Sequence, residues 1–144
     1  MPTLVDGHNL IPHLGLKLES IDDEQELINL LQVYCRLRQA DVEVFFDNAP
    51  PGNPVTRKSG RVIAHFIRQG SSADAAIENR LLRLKNAARN WMVVSSDGRV
   101  QRAARAAGAR SISCPDFARS MAATLSREGA VTGEARQPSP LPFQ

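Results

Sequence analysis

The chain has 144 residues, 42% apolar and 23% charged, a size and balance that suit one folded domain with a real core. No apolar run approaches the roughly 18 residues needed to span a membrane, and the opening "MPTLVDG" lacks the basic-then-apolar order of a secretory signal. Net charge is only +3, yet residues 57–110 hold twelve of the eighteen Lys and Arg against three acids (Asp74, Glu78, Asp97), which suits a polyanionic partner such as nucleic acid.

Leu4 and Val5 end a first strand, which runs into Asp6. Residues 22–39 predict a helix, because Leu27, Leu30, Leu31, Tyr34 and Leu37 recur at helical spacing. Its acidic start and its Arg36/Arg38 end complement the helix dipole. "VEVFFD", residues 42–47, is a near-continuous apolar run, as in a strand covered on both faces. "NAPPGNP", residues 48–54, is turn chemistry, and "RVIAHFIR", residues 61–68, is a third strand. Ser71 or Ser72 caps a helix over roughly 73–89. "WMVVSSD", residues 91–97, is a fourth strand; Trp91 before it reads as a core or edge residue. Residues 99–108 form a short helix closed by Gly108, "RSISC" a fifth strand, and Asp116 caps a last helix over about 116–127. Residues 1–127 thus read as the folded domain and 128–144, rich in Pro and Gly, as a flexible tail. Cys35 and Cys114 show no metal-type spacing and read as reduced thiols of a cytoplasmic protein.

Strands alternate with helices, which predicts an α/β fold with a central, mainly parallel sheet and helices on both faces. Such sheets hold their sites beyond the carboxyl ends of the strands. Asp6, Asp47 and Asp97 each follow a strand, so a parallel sheet brings them to one edge. Asp74 and Glu78, four apart, share one face near the start of their helix. Taken singly, each aspartate is read equally well as a cap or turn former. As a set they read as functional. Clustered carboxylates repel until some take up protons or a cation joins them, and an all-oxygen site favours Mg2+ or Mn2+. Beside a basic surface, that chemistry suits phosphodiester cleavage.

"LVDGHNL", "FFDNAPPG", "SSADAAIE" and "VVSSDGRV", in this order, resemble the NYN branch of the PIN-like nuclease superfamily, in particular its bacterial YacP-like members, over roughly residues 3–125. The resemblance implies a three-layer α/β/α sandwich, an acidic pocket for a divalent metal, and RNA cleavage. Carried over motif by motif, it implies Asp6, Asn9, Asp74 and Asp97 as catalytic residues, with Asn9 orienting water or phosphate. Asp6, Asp47, Asp74, Asp97 and Glu78 become the metal-binding set; Glu78 is read alternatively as the partner of a helix neighbour such as Arg80. Ser96, Arg57, Lys58 and Arg99 become substrate contacts, Arg57 and Lys58 from a loop over residues 50–60 that covers the pocket. His8 stands where the similar motif often has an aromatic residue and reads as packing or RNA contact; His13 and His65 read as structural.

Two functions are carried forward. The first is a metal-dependent endoribonuclease acting on single-stranded or loop RNA. The second is an RNA-binding module with little or no turnover. A receiver-like or phosphatase-like domain is disfavoured, because "TLVDGHNL" has no DxD pair and no lysine follows a late strand in the expected way. Ribosome association and oligomeric state stay open at this level.

Overall fold

Leu4 and Val5 point to opposite sides of the first strand, and that alternation organises the whole molecule. Val5 belongs to one apolar cluster and Leu4 to another, one on each face of the sheet. The computed structural model describes residues 1–16, 21–49 and 55–132. The expected pocket-covering loop falls partly outside these residues, as does the end of the expected tail, residues 133–144.

Six strands form one sheet: β1 (Thr3–Asp6), β2 (Val42–Ala49), β3 (Thr56–Ser59), β4 (Val62–Arg68), β5 (Met92–Val94) and β6 (Arg110–Ile112), in the spatial order β3-β4-β2-β1-β5-β6. All neighbours are parallel except β3, which pairs antiparallel with β4. The sheet is thus mostly parallel, as expected from the alternation of strands and helices. The chain runs outward from β1 through β2 to β4, then crosses back to the other side of β1 for β5 and β6. That reversal makes a crevice between the carboxyl ends of β1 and β5.

Helices α1 (Gly7–Leu10), α2 (Ile21–Arg38) and α5 (Cys114–Thr132) cover one face. Leu10, Leu27, Leu31, Phe117 and Met121 pack there against Val5, Val44, Phe46 and Val94. Helices α3 (Ala73–Leu84) and α4 (Gly98–Ala106) cover the other. Ile77, Leu81, Val100 and Ala104 meet Leu4, Phe45 and Val93. Burying each such side chain contributes about 1.5–3 kcal/mol, so the two clusters fix the strand register that places the site.

Several boundaries depart from expectation. Thr56–Ser59, expected within a loop, is an edge strand, because a tight turn at Gly60 (φ 61°) folds it back on β4. The helix expected to reach residue 89 ends at Leu84, where Lys85 takes φ 53° and a 3-10 turn over Lys85–Asn90 follows. The fourth strand ends at Val94 rather than residue 97, because Ser95 to Asp97 turn out of the sheet to start α4. The last helix starts two residues before Asp116: the Ser113 hydroxyl accepts the Asp116 N–H at 3.3 Å, so Ser113 supplies the cap expected of Asp116. It runs on to Thr132, five residues past the expected end.

Candidate active site

Asp6 closes β1 and is only 6% exposed. Its neighbour Gly7 lets the chain turn at once into α1. A Cβ there would lie 2.5 Å from Cε1 of Phe46 and 2.9 Å from the Phe45 carbonyl oxygen. Only a residue without a side chain fits so close to β2. By strand alternation Asp6 shares the face of Leu4, the side of α3 and α4.

Asp47, two residues after Phe45, faces the same side by strand alternation, beside an irregularity in the sheet. Pairing of β2 with β4 slips between Phe46 and Ala49, and Asn48 takes φ 59°. The Asp47 carboxylate accepts the backbone N–H of Ala73, the first residue of α3, where the helix dipole favours negative charge. Ser72 caps the same helix, accepting the Ala75 N–H at 3.1 Å. Asp74 follows in the first turn, and no hydrogen bond reaches its carboxylate among the described residues.

Asp97 is the N-cap of α4. Its Oδ1 accepts the N–H groups of Arg99 at 2.8 Å and Val100 at 3.3 Å. It is therefore the helix initiator that the sequence offered, and its charge also acts on Asp6 and Asp74.

These acids share one electrostatic field. Burial pushes the Asp6 carboxyl up to about 6, opposed by a hydrogen bond from Ser95 and reinforced by the charges of Asp74, Asp47 and Asp97. Asp74 is also raised, first by burial and then by Asp97, against a lowering contribution from Arg99. The set is oxygen-only, the donor chemistry of a hard divalent cation. Among the described residues, no group of three or more His, Cys, Asp or Glu is placed to hold a metal ion. By donor chemistry alone, Asp6, Asp47, Asp74 and Asp97 suit such a cation.

Glu78 stands at the rim. Arg99 grips it through two hydrogen bonds, 2.7 Å from Nε and 2.8 Å from the terminal nitrogen, and so holds its carboxyl below the usual range. The helix neighbour Arg80 instead turns to Glu43. Arg99 is thereby placed beside the acids, close enough to act on Asp74. Asn9 spends its carbonyl on structure: Oδ1 accepts the Ser96 N–H at 2.8 Å and the Cys114 thiol at 3.4 Å, tying α1 to the loop after β5 and to α5. Ser96 Oγ accepts the Cys114 N–H at 3.1 Å. His8, on α1, bonds Glu24 at 2.6 Å, which raises its pKa, and its ring lies 5.4 Å from that of Phe46. His65 stacks on Phe45 and bonds Glu43 at 2.9 Å.

The structure does not bring Arg57 and Lys58 to the carboxylates. Arg57 points to the α2 side, donating to Gln25 at 2.7 Å with its guanidinium 5.2 Å from the Phe66 ring centre. Lys58 pairs with Ile63, toward the amino ends of the strands.

Ser95 escaped the sequence reading. It is fully buried, donates to Asp6 Oδ2 at 3.0 Å and accepts the Asp97 N–H at 3.0 Å. Gln101 Nε2 fixes its carbonyl at 3.0 Å. A signal existed: Ser95 is two residues after Val93, hence on the Asp6 side of the sheet.

A family model described as the YacP-like NYN domain matches residues 3–138. Two crystal structures of Rae1 (YacP) from Bacillus subtilis are similar in fold. A mutant form shares 27% identity with a TM-score of 0.72, covering 96% of this chain and 86% of that one. The other shares 26% with the same TM-score, covering 89% and 77%. No curated protein sequence matches the chain.

Proposed function

Because this chain belongs to the YacP-like NYN domain family, whose character is nuclease-type and RNA-related, we propose that it is an endoribonuclease that hydrolyses RNA phosphodiester bonds with Mg2+ or Mn2+. The observation that carries this reading is the convergence of Asp6, Asp47, Asp74 and Asp97 at the crevice beside β1, with Asp6 pushed up to about 6 by burial and by the other three. A divalent cation held there supplies positive charge at the scissile phosphate and acidifies an attacking water.

The chain's own residues do the rest. Asp47 and Asp97 are locked against helix N-termini, so they keep their positions without mutual relaxation. Ser95 orients Asp6. Asp74, free of hydrogen bonds among the described residues, is the acid best able to accept a proton from water. Arg99 and the start of α4 offer positive charge to a substrate phosphate once Arg99 leaves Glu78. The substrate in this reading is single-stranded or loop RNA. Cys35 and Cys114 are free and buried, in keeping with a reducing cytoplasm as the place of action.

The test is cleavage of a mixed, end-labelled RNA pool with Mg2+, with Mn2+ and with EDTA, alongside Asp6→Asn. Metal-dependent products that vanish in the variant are expected. RNA retained on a filter with no products under either metal would replace the nuclease with a binding module.

A further inference from the structure

The excess of Lys and Arg over residues 57–110 does not gather around the carboxylates. Much of it lies at the opposite edge of the sheet. Reading the amino ends of the strands in spatial order, Lys58 stands at β3, Arg61 just before β4, Asp41 before β2, Pro2 before β1, Arg89 and Trp91 before β5, and Arg110 at the start of β6. A cleft of about 480 Å³ opens there, lined by Pro2, Asp41, Lys58, Arg61, Arg80 and Trp91 among others. The acids of this edge are already neutralised. Arg61 bonds Asp41 at 2.9 Å. Against burial, which raises it, the hydrogen bonds and charges of His65 and Arg80 bring the Glu43 carboxyl down to about 2. Arg80 also lies over the Trp91 ring, 5.2 Å from its centre. Lys58, Lys85, Arg89 and Arg110 are exposed and have no hydrogen-bonded or ionic partner among the described residues. The edge therefore presents net positive charge that nothing among the described residues matches.

β3 links the two edges. Thr56 is level with His65, which pairs with Phe45 and so with Asp6; Ser59 is level with Val62 at the amino end. As the outermost strand it exposes Thr56, Arg57 and Lys58 along its length. Four residues of strand span about 13 Å, a distance that a few nucleotides bridge.

We propose that the amino edge of the sheet is a second RNA-backbone contact, which holds a single strand leaving the acidic crevice along β3. This rests on the reading of the chain as acting on RNA. It predicts that affinity depends on RNA length, because a short oligonucleotide in the crevice cannot reach Arg89 and Arg110.

The test measures anisotropy of labelled oligouridine strands of about 40 and about 6 nucleotides across a salt series with EDTA present, using the full chain. The variants are Arg89→Gln/Arg110→Gln and, separately, Lys58→Gln, all at exposed positions. For the long strand the double variant is expected to bind more weakly, with the slope of log K against log salt reduced by about 1.4, or 0.7 per lost phosphate contact. Lys58→Gln is expected to reduce it by about 0.7. An unchanged slope for both variants overturns the second contact while leaving the nuclease reading intact. An equal loss for the short strand in the double variant overturns it too, since Arg89 and Arg110 would then belong to the crevice. A wild-type protein that binds neither strand and cleaves no RNA removes the underlying reading, and the second contact with it.

Discussion

The Ser95 hydroxyl donates to Asp6 Oδ2 at 3.0 Å while accepting the backbone N–H of Asp97 at the same distance, so one buried side chain sets the spacing of two acids that are far apart in the sequence. Ser95→Ala leaves both partners unsatisfied in a buried place, which costs about 1–3 kcal/mol. It also removes the hydrogen bond that lowers the Asp6 pKa, so Asp6 holds its proton more firmly. Groups that orient metal-binding carboxylates are worth roughly 10–100-fold in activity. A cleavage rate reduced by that factor at fixed Mg2+ is expected, with a smaller loss for Ser96→Ala, whose hydroxyl only accepts from Cys114. Wild-type rates in Ser95→Ala would mean that Asp6 needs no such support.

Asp97 has two duties that substitution separates. Asn caps a helix about as well as Asp, whereas Ala loses about 1 kcal/mol at such a position. Asp97→Asn should therefore keep the stability of α4 yet lose cleavage, because the charge is gone. Asp97→Ala should lose both. Urea melts beside cleavage assays check this pattern. An active Asp97→Asn protein would reduce Asp97 to its capping role.

The acid content of the site should also set how stability varies with pH. The folded Asp6 carboxyl titrates at about 6 against an ordinary 3.8, so the fold favours its protonated form. The stability contributed by that proton is fully present below about pH 4 and is lost as pH rises through 6. The difference approaches 3 kcal/mol, at about 1.4 per pKa unit. Asp6→Asn cannot lose it. In EDTA, the stability of Asp6→Asn relative to wild type should rise by up to about 3 kcal/mol between pH 4 and pH 7. Parallel pH profiles for the two proteins would show that Asp6 is not strained by its neighbours.

The sheet and its acidic edge were legible because both rest on local signals. Apolar runs end in Asp6, Asp47 and near Asp97, and parallel topology carries those ends to one side. What stayed hidden depends on contacts between distant segments. β3 is a run of polar residues, "TRKS", with no alternation of its own; only the turn at Gly60 and its pairing with β4 make it a strand. The bulge at Asp47 and the choice of Ser95 over Ser96 follow from strand register, which no single segment encodes. Lys58 looked like a pocket residue for the same reason: sequence proximity to a loop says nothing about which end of an antiparallel strand it occupies.

Metal binding should stabilise the fold, and this can be read without any RNA. An ion that binds only the native state adds about 2.7 kcal/mol at one hundred times its dissociation constant, a rise in Tm of about 8 °C for a domain of this size. The carboxylates suit such an ion by their chemistry, and it would offset both burial and mutual repulsion, since Asp6 and Asp74 are pushed toward protonation first by burial and then by the other acids. Wild type should therefore melt higher in Mg2+ or Mn2+ than in EDTA, with a midpoint that climbs with metal concentration. Asp6→Asn and Asp74→Asn should each lose most of that climb. Glu78→Gln should keep it, because Arg99 already neutralises Glu78 at the rim. A melting temperature indifferent to either metal would argue that the four aspartates hold no cation in the absence of substrate.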